Sequence, residues 1–82
     1  MWGGDPIVIY DQDLHVKVLT VMRVAPDGRR HEVRIFPGGL AGYRAGDTEN
    51  TMVLYAGAEI TIQANDYARA RKVILEWIGE TL

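Results

Sequence analysis

Residues 66–80 carry apolar side chains at helical spacing, and no other stretch of the chain does. At about 100° per residue, Tyr67, Ala70, Ile74, Trp77 and Ile78 fall on one side, with Arg69, Lys72, Glu76 and Glu80 opposite. Asn65 or Asp66 stands where a side-chain oxygen accepts a bond from a free first-turn N–H. Asp66 also sets a negative charge where the helix dipole favours one. Gly79 loosens the far end, so the last turn is expected to fray. Val73 and Leu75 widen the apolar arc beyond a narrow stripe, so one sheet face alone leaves part of it uncovered. Arg71 falls inside that arc. Either its stem packs while the guanidinium reaches water, or it pairs with a carboxylate.

The rest of the chain must supply the surface on which this helix packs, and its pattern is that of strands. Residues 1–6 read as a flexible lead-in, with Pro6 suited to the start of an edge strand. Ile7-Val8-Ile9-Tyr10 is a short β-branched run, and Asp11-Gln12-Asp13 is turn chemistry. Residues 14–24 alternate. Leu14, Val16, Val18, Thr20, Met22 and Val24 share one face, taken as the core face; His15, Lys17, Leu19, Val21 and Arg23 share the other. Pro26-Asp27-Gly28 makes a hairpin turn, proline presetting φ and glycine supplying positive φ. Residues 30–36 return as a strand whose Val33 and Ile35 join the core face, while Arg30, Glu32, Arg34 and Phe36 face away.

Residues 37–50 hold four glycines between two strands and read as a long irregular connection, a kind of segment that often carries function. Residues 51–55 and 58–64 are strands. Ala56-Gly57 fits a two-residue turn between them, and also fits a bulge in one long strand. The hairpin is preferred, because a strand of that length exceeds the usual ~3–10 residues. In that register Val53, Tyr55, Ile60 and Ile62 share a face. The expected fold is a single α+β domain over residues 1–82: an antiparallel β-meander of four to five strands with one C-terminal helix packed on one face.

Composition excludes more chemistry than it suggests. The chain has no cysteine and no serine, which removes disulfides, thiolate nucleophiles, cysteine-ligated zinc and a serine triad. That fits a reducing, cytoplasmic setting. His15 and His31 are two ligands without a third, so no metal and no cofactor is expected. Asp11, Asp13, Glu59 and Glu76 do not form a carboxylate pair placed for acid–base work, so the chain does not read as an enzyme. No apolar run approaches the ~18 residues of a membrane span, and none of the glycines opens a phosphate-binding motif.

Surplus apolar surface on a domain without visible chemistry points to a non-catalytic protein–protein interaction module. A short edge strand, the half-apolar second face of residues 14–24 and the wide helix arc all need cover, and a homodimer is one way to supply it. The profile matches small inhibitors and accessory proteins of bacteria and their viruses. The expected partner contacts are a patch of Leu19, Val21 and Phe36, together with Tyr43 and Arg44 in a recognition loop over residues 38–47. A second reading is a nucleic-acid-binding accessory protein using Arg23, Arg29, Arg30 and Arg34 on the hairpin, against which stands a net charge of −2. The third is a small-ligand domain using the glycine-rich segment.

Overall fold

The computed structural model describes residues 2–81 of the chain. Its strands are β1 (Ile7–Asp11), β2 (Val16–Val24), β3 (Arg30–Ile35), β4 (Gly42–Ala45), β5 (Thr51–Tyr55) and β6 (Glu59–Gln63), followed by the helix α1 (Tyr67–Thr81). The antiparallel sheet and the C-terminal helix stand as expected for an α+β domain, with six strands among the described residues rather than four or five. The sheet consists of two meanders, β1-β2-β3 and β4-β5-β6. They are joined where Arg23 of β2 lies opposite Ile62 of β6. Leu19 and Thr20 pair with both β1 and β3, so those two strands occupy opposite edges of β2. Arg23 pairs with both β3 and β6, so β6 continues the edge that β1 begins.

The added strand, β4, lies inside the glycine-rich segment expected to be irregular. Its ladder with β5 is extended at both ends, by Ala41 N–H on the Tyr55 carbonyl (2.7 Å) and Gly46 N–H on the Thr51 carbonyl (3.0 Å). At Gly46 the two backbones come so close that a Cβ would sit 2.7 Å from the Thr51 carbonyl carbon. Glycine here serves the close approach that pairing requires.

The helix packs on Leu19, Val21, Ile35, Met52, Leu54 and Ile62 through Ala70, Ile74 and Trp77. This reverses the expected face of β2, because Leu19 and Val21 lie under the helix and Val18 and Thr20 lie on the other side. It also reverses β5, where Met52 and Leu54, not Val53 and Tyr55, accompany Ile60 and Ile62. Both reversals are matters of register. Val24 pairs with Arg30 as the strand bounds imply, and that register sets Val33 and Ile35 opposite Val21 and Leu19, not on the side of Val18 and Thr20. Tyr55 pairs with Glu59, which leaves Ala58 in a loop one residue longer than its turn signal suggests. Side chains alternate with period two, so a one-residue difference in pairing moves a whole strand to the opposite face relative to its partner. Val33 and Ile35 keep the core side as expected, now with Leu19 and Val21 opposite them.

The opposite sheet face is not bare, since Val18, Thr20 and Val53 are also buried. Each has a longer neighbour across the ladder: Ile9 for Val18, Arg34 for Thr20 and Arg44 for Val53.

The helix start is tied to the N-terminal segment. Asp66 Oδ1 accepts the Arg69 N–H (3.1 Å), which confirms Asp66 as the cap. Asp5 adds a second carboxylate. Its Oδ1 accepts the Asn65 N–H (3.0 Å), and its Oδ2 accepts the Asp66 N–H (3.1 Å). Trp2 Nε1 donates to the Asp5 carbonyl (2.7 Å), and Gln63 Nε2 donates to the Gly3 carbonyl (2.6 Å). Gly4, at φ 97°, lies so close to Gln63 that a Cβ would stand 2.7 Å from Nε2. Residues 2–6, expected to be flexible, are therefore bonded in place; Met1 lies outside the described residues. The helix also runs through Gly79 to Thr81, whose hydroxyl donates to the Trp77 carbonyl (2.8 Å).

Candidate partner-binding surface

Three strands, β1, β3 and β4, each pair with one neighbour among the described residues and so leave a backbone edge open. An open edge is a row of unpaired N–H and C=O groups, and proteins blunt it with charge, brevity or cover. β3 carries Arg30, Glu32 and Arg34 at alternate positions, with Arg34 and Glu32 in a 3.4 Å ion pair. β4 is four residues long, and Arg44 at its centre is held by an ionic network. β1 has neither protection. Its sequence is Ile7-Val8-Ile9-Tyr10-Asp11, with one charge at its last position.

The apolar side chains of β1 are also out of the core. Val8, Ile9 and Tyr10 are 37%, 42% and 52% exposed, and Leu14 in the following turn is 58% exposed. The turn holds Leu14 outward. Asp11 Oδ1 accepts the N–H of both Asp13 and Leu14 at 2.9 Å, and His15 takes a left-handed φ of 54°. β2 therefore starts at Val16, and Leu14 is not part of it. The Tyr10 hydroxyl lies 3.2 Å from His15 Nδ1, which bridges the turn.

On the helix side of β1 lies a groove of about 630 Å³ between this strand, the N-terminal segment and α1. Its apolar lining includes Trp2, Val8, Val73 and Trp77, and its polar rim includes Lys17, Arg69, Glu76 and Glu80. Lys17 and Glu80 form an ion pair across one end. Trp77 is fixed on the groove floor by its Nε1–H bond to the Lys17 carbonyl (2.9 Å). The open strand edge thus has a groove along its helix side and the exposed Leu14 in the turn at its end.

The expected contact residues are placed differently. Leu19 and Val21 are fully buried beneath the helix and form no surface patch; pairing with the core residues Ile35 and Val33 puts them there. Phe36 is exposed, beside a shallow cleft that includes Ile35, Ala56 and Ile60. Tyr43 and Arg44 lie on β4, not on a free loop, and both are engaged within the chain. The Tyr43 hydroxyl accepts the Arg71 Nε–H (3.0 Å), which is also where Arg71 finds its partner. Arg44 donates to the Tyr55 hydroxyl (2.9 Å), Glu59 (2.9 Å), the Ala45 carbonyl (3.0 Å) and Asp47 (3.2 Å). The Tyr55 hydroxyl, and after it the Glu59 carboxylate, hold the Arg44 guanidinium above its ordinary pKa. Its directed donors are spent on organising the β4–β5–β6 end of the sheet.

The four hairpin arginines do not form one patch. Arg30 and Arg34 lie on the face away from the helix with Glu32 between them. Arg23 and its cross-strand neighbour His31 lie on the helix side, and Arg29 sits in the loop, 3.5 Å from Asp27. His15 and His31 stand at opposite ends of β2. No group of three or more His, Cys, Asp or Glu side chains among the described residues is arranged to hold a metal ion. No helix among them is long and apolar enough to cross a membrane.

The chain matches no family model, no curated protein and no solved structure.

Proposed function

We propose that this chain is a non-catalytic protein–protein interaction module that docks its partner on the open edge of β1. The observation that carries the reading is the coincidence, on one side of the molecule, of an unprotected strand edge with Val8, Ile9, Tyr10 and Leu14 exposed along it. An added strand would gain main-chain hydrogen bonds from the edge. Alternate side chains of that strand would enter the groove beside Val8 and Trp77. A module that works by contact alone suits an inhibitor or accessory role, and a cytoplasmic setting belongs to the same reading. The nucleic-acid reading has less to support it, because the arginines divide between two faces and Glu32 interrupts the larger group. The glycine-segment reading loses its loop to β4.

The reading is tested by placing a photo-crosslinking residue at Tyr10 or Leu14 in the expressed protein, with exposed Ala68 on the helix as control. Protein adducts are expected at positions 10 and 14 and not at 68. Equal, background-level adducts at all three positions would remove the β1 surface as the docking site.

A further inference from the structure

We infer that the β1 edge takes the β1 edge of a second copy of this chain, so that two sheets join as one about a two-fold axis through Ile9. The inference rests on the reading of β1 as the docking edge and names its occupant. Sequence and register argue for self-pairing. Antiparallel pairing centred on Ile9 sets Ile9 opposite the partner's Ile9, Val8 opposite the partner's Tyr10, and Ile7 opposite the partner's Asp11. Within the strand the one charged side chain, Asp11, faces Ile7, and no like charges oppose each other. Neighbouring registers are worse. Centring on Val8 or on Tyr10 cuts the overlap of the two copies of β1 from five residues to three and loses the Val8–Tyr10 pair.

The groove gains from the same arrangement. Val8 and Tyr10 both lie on the helix side of β1, opposite Leu19 and Lys17. A two-fold axis perpendicular to the joined sheet keeps both helices on one side. The partner's Tyr10, beside Val8, then closes the mouth of the groove that Val8 lines. The turn after Asp11, which carries the exposed Leu14, then stands beside the partner's N-terminal segment, the stretch before the Ile7 that faces Asp11. Covering Val8, Ile9, Tyr10 and Leu14 on both copies removes on the order of 800 Å² from water, and backbone and flanking residues bring this near the ~1,200 Å² at which specific interfaces begin. A net charge of −2 per chain opposes association little. The expected dimer is reversible, with dissociation in the micromolar range.

The chain has no cysteine, so one introduced thiol reports unambiguously. Ile9→Cys should close to a disulfide-linked dimer under mild oxidation, because the centred register brings position 9 opposite itself within disulfide reach. Ala68→Cys should not. In parallel, light scattering of the unmodified chain from about 5 to about 500 µM should show mass rising from monomer to dimer, and Ile9→Lys or Leu14→Lys should weaken association by about 100-fold or more with the circular dichroism unchanged. A chain that stays monomeric at the highest concentration, with Ile9→Cys no faster to cross-link than Ala68→Cys, overturns the dimer. So does a dimer that Ile9→Lys leaves intact. Adducts to other proteins from position 10, from a chain that stays monomeric, would leave the docking edge standing and replace its occupant; absence of both would remove both.

Discussion

Trp77→Ala is the substitution that asks most directly whether the helix holds this domain together. Trp77 is 1% exposed and is the largest fully buried side chain among the described residues. It also reaches across layers to a backbone group, its indole N–H bonding the Lys17 carbonyl at 2.9 Å. Truncating a buried tryptophan to alanine costs about 3–5 kcal/mol through lost burial and the void left behind. A domain of this size has roughly 4–12 kcal/mol of stability in all, so the variant loses a large share of it or fails to fold. Trp77→Phe separates the two contributions. It keeps most of the ring and leaves the Lys17 carbonyl without its donor, at a cost of about 1–3 kcal/mol. The assay is urea unfolding followed by far-ultraviolet circular dichroism, since Trp2 would confuse a fluorescence signal. With a slope of about 1 kcal/mol per molar urea, the Trp77→Ala midpoint should fall by some ~3 M or vanish into the baseline, and Trp77→Phe should fall between it and the parent. Unchanged midpoints in both variants would refute the packing of α1 on the sheet. Equal losses in the two would refute the claim that the void, rather than the hydrogen bond, dominates.

Val21→Lys should abolish folding, because Val21 is wholly buried under the helix, whereas Phe36→Lys should leave the unfolding midpoint within about 0.5 kcal/mol of the parent; gel filtration and circular dichroism distinguish them. Asp5→Ala removes the acceptor for two N–H groups at the helix start, so it should cost about 1–2 kcal/mol and raise hydrogen exchange at Asn65 and Asp66 before that of the sheet. Replacing residues 40–46 by a tight turn deletes β4 and uncovers the edge of β5, so the product should be grossly destabilised or aggregate, and a variant as stable as the parent would show that β4 contributes nothing.

What was legible in the sequence follows from which physical signals are local. The helix was legible because its period, its cap at Asp66 and its apolar face all lie within fifteen residues. The strands other than β4 were legible from β-branched runs between turn residues. β4 was not, because Gly42-Tyr43-Arg44-Ala45 has neither alternation nor β-branching, and its place in the sheet comes from pairing with β5. The faces of β2 and β5 were not legible either. β2 is apolar on both sides, so its pattern fixes which residues travel together but not which set the helix covers. That choice hung on the register that sets Val21 opposite Val33, and in β5 on Ala58 falling inside the loop, a matter of one residue. The setting of the expected contact residues was hidden for a related reason. Tyr43 and Arg44 have the reach of contact residues, but their partners Arg71, Tyr55 and Glu59 come from far along the chain, and only the fold brings them within 3.0 Å.

Moving Leu19 and Val21 into the core does not remove the argument that this domain has more apolar surface than one helix can cover; it relocates the surplus. The helix has one face to offer, and β2, β5 and β6 at the centre of the sheet take it. β1 pairs with the first half of β2 alone, while β6 occupies the rest of that edge; the helix runs beside β1, yet no side chain of this strand joins the core beneath it. A marginal strand left to solvent alone would be expected to carry charge, as β3 does with Arg30, Glu32 and Arg34. The two outer strands of the first meander thus face the same hazard with opposite compositions. β3 is built to refuse another strand. β1, uncharged until Asp11 and flanked by a groove with Trp77 on its floor, has the composition that the proposed docking of a further strand requires.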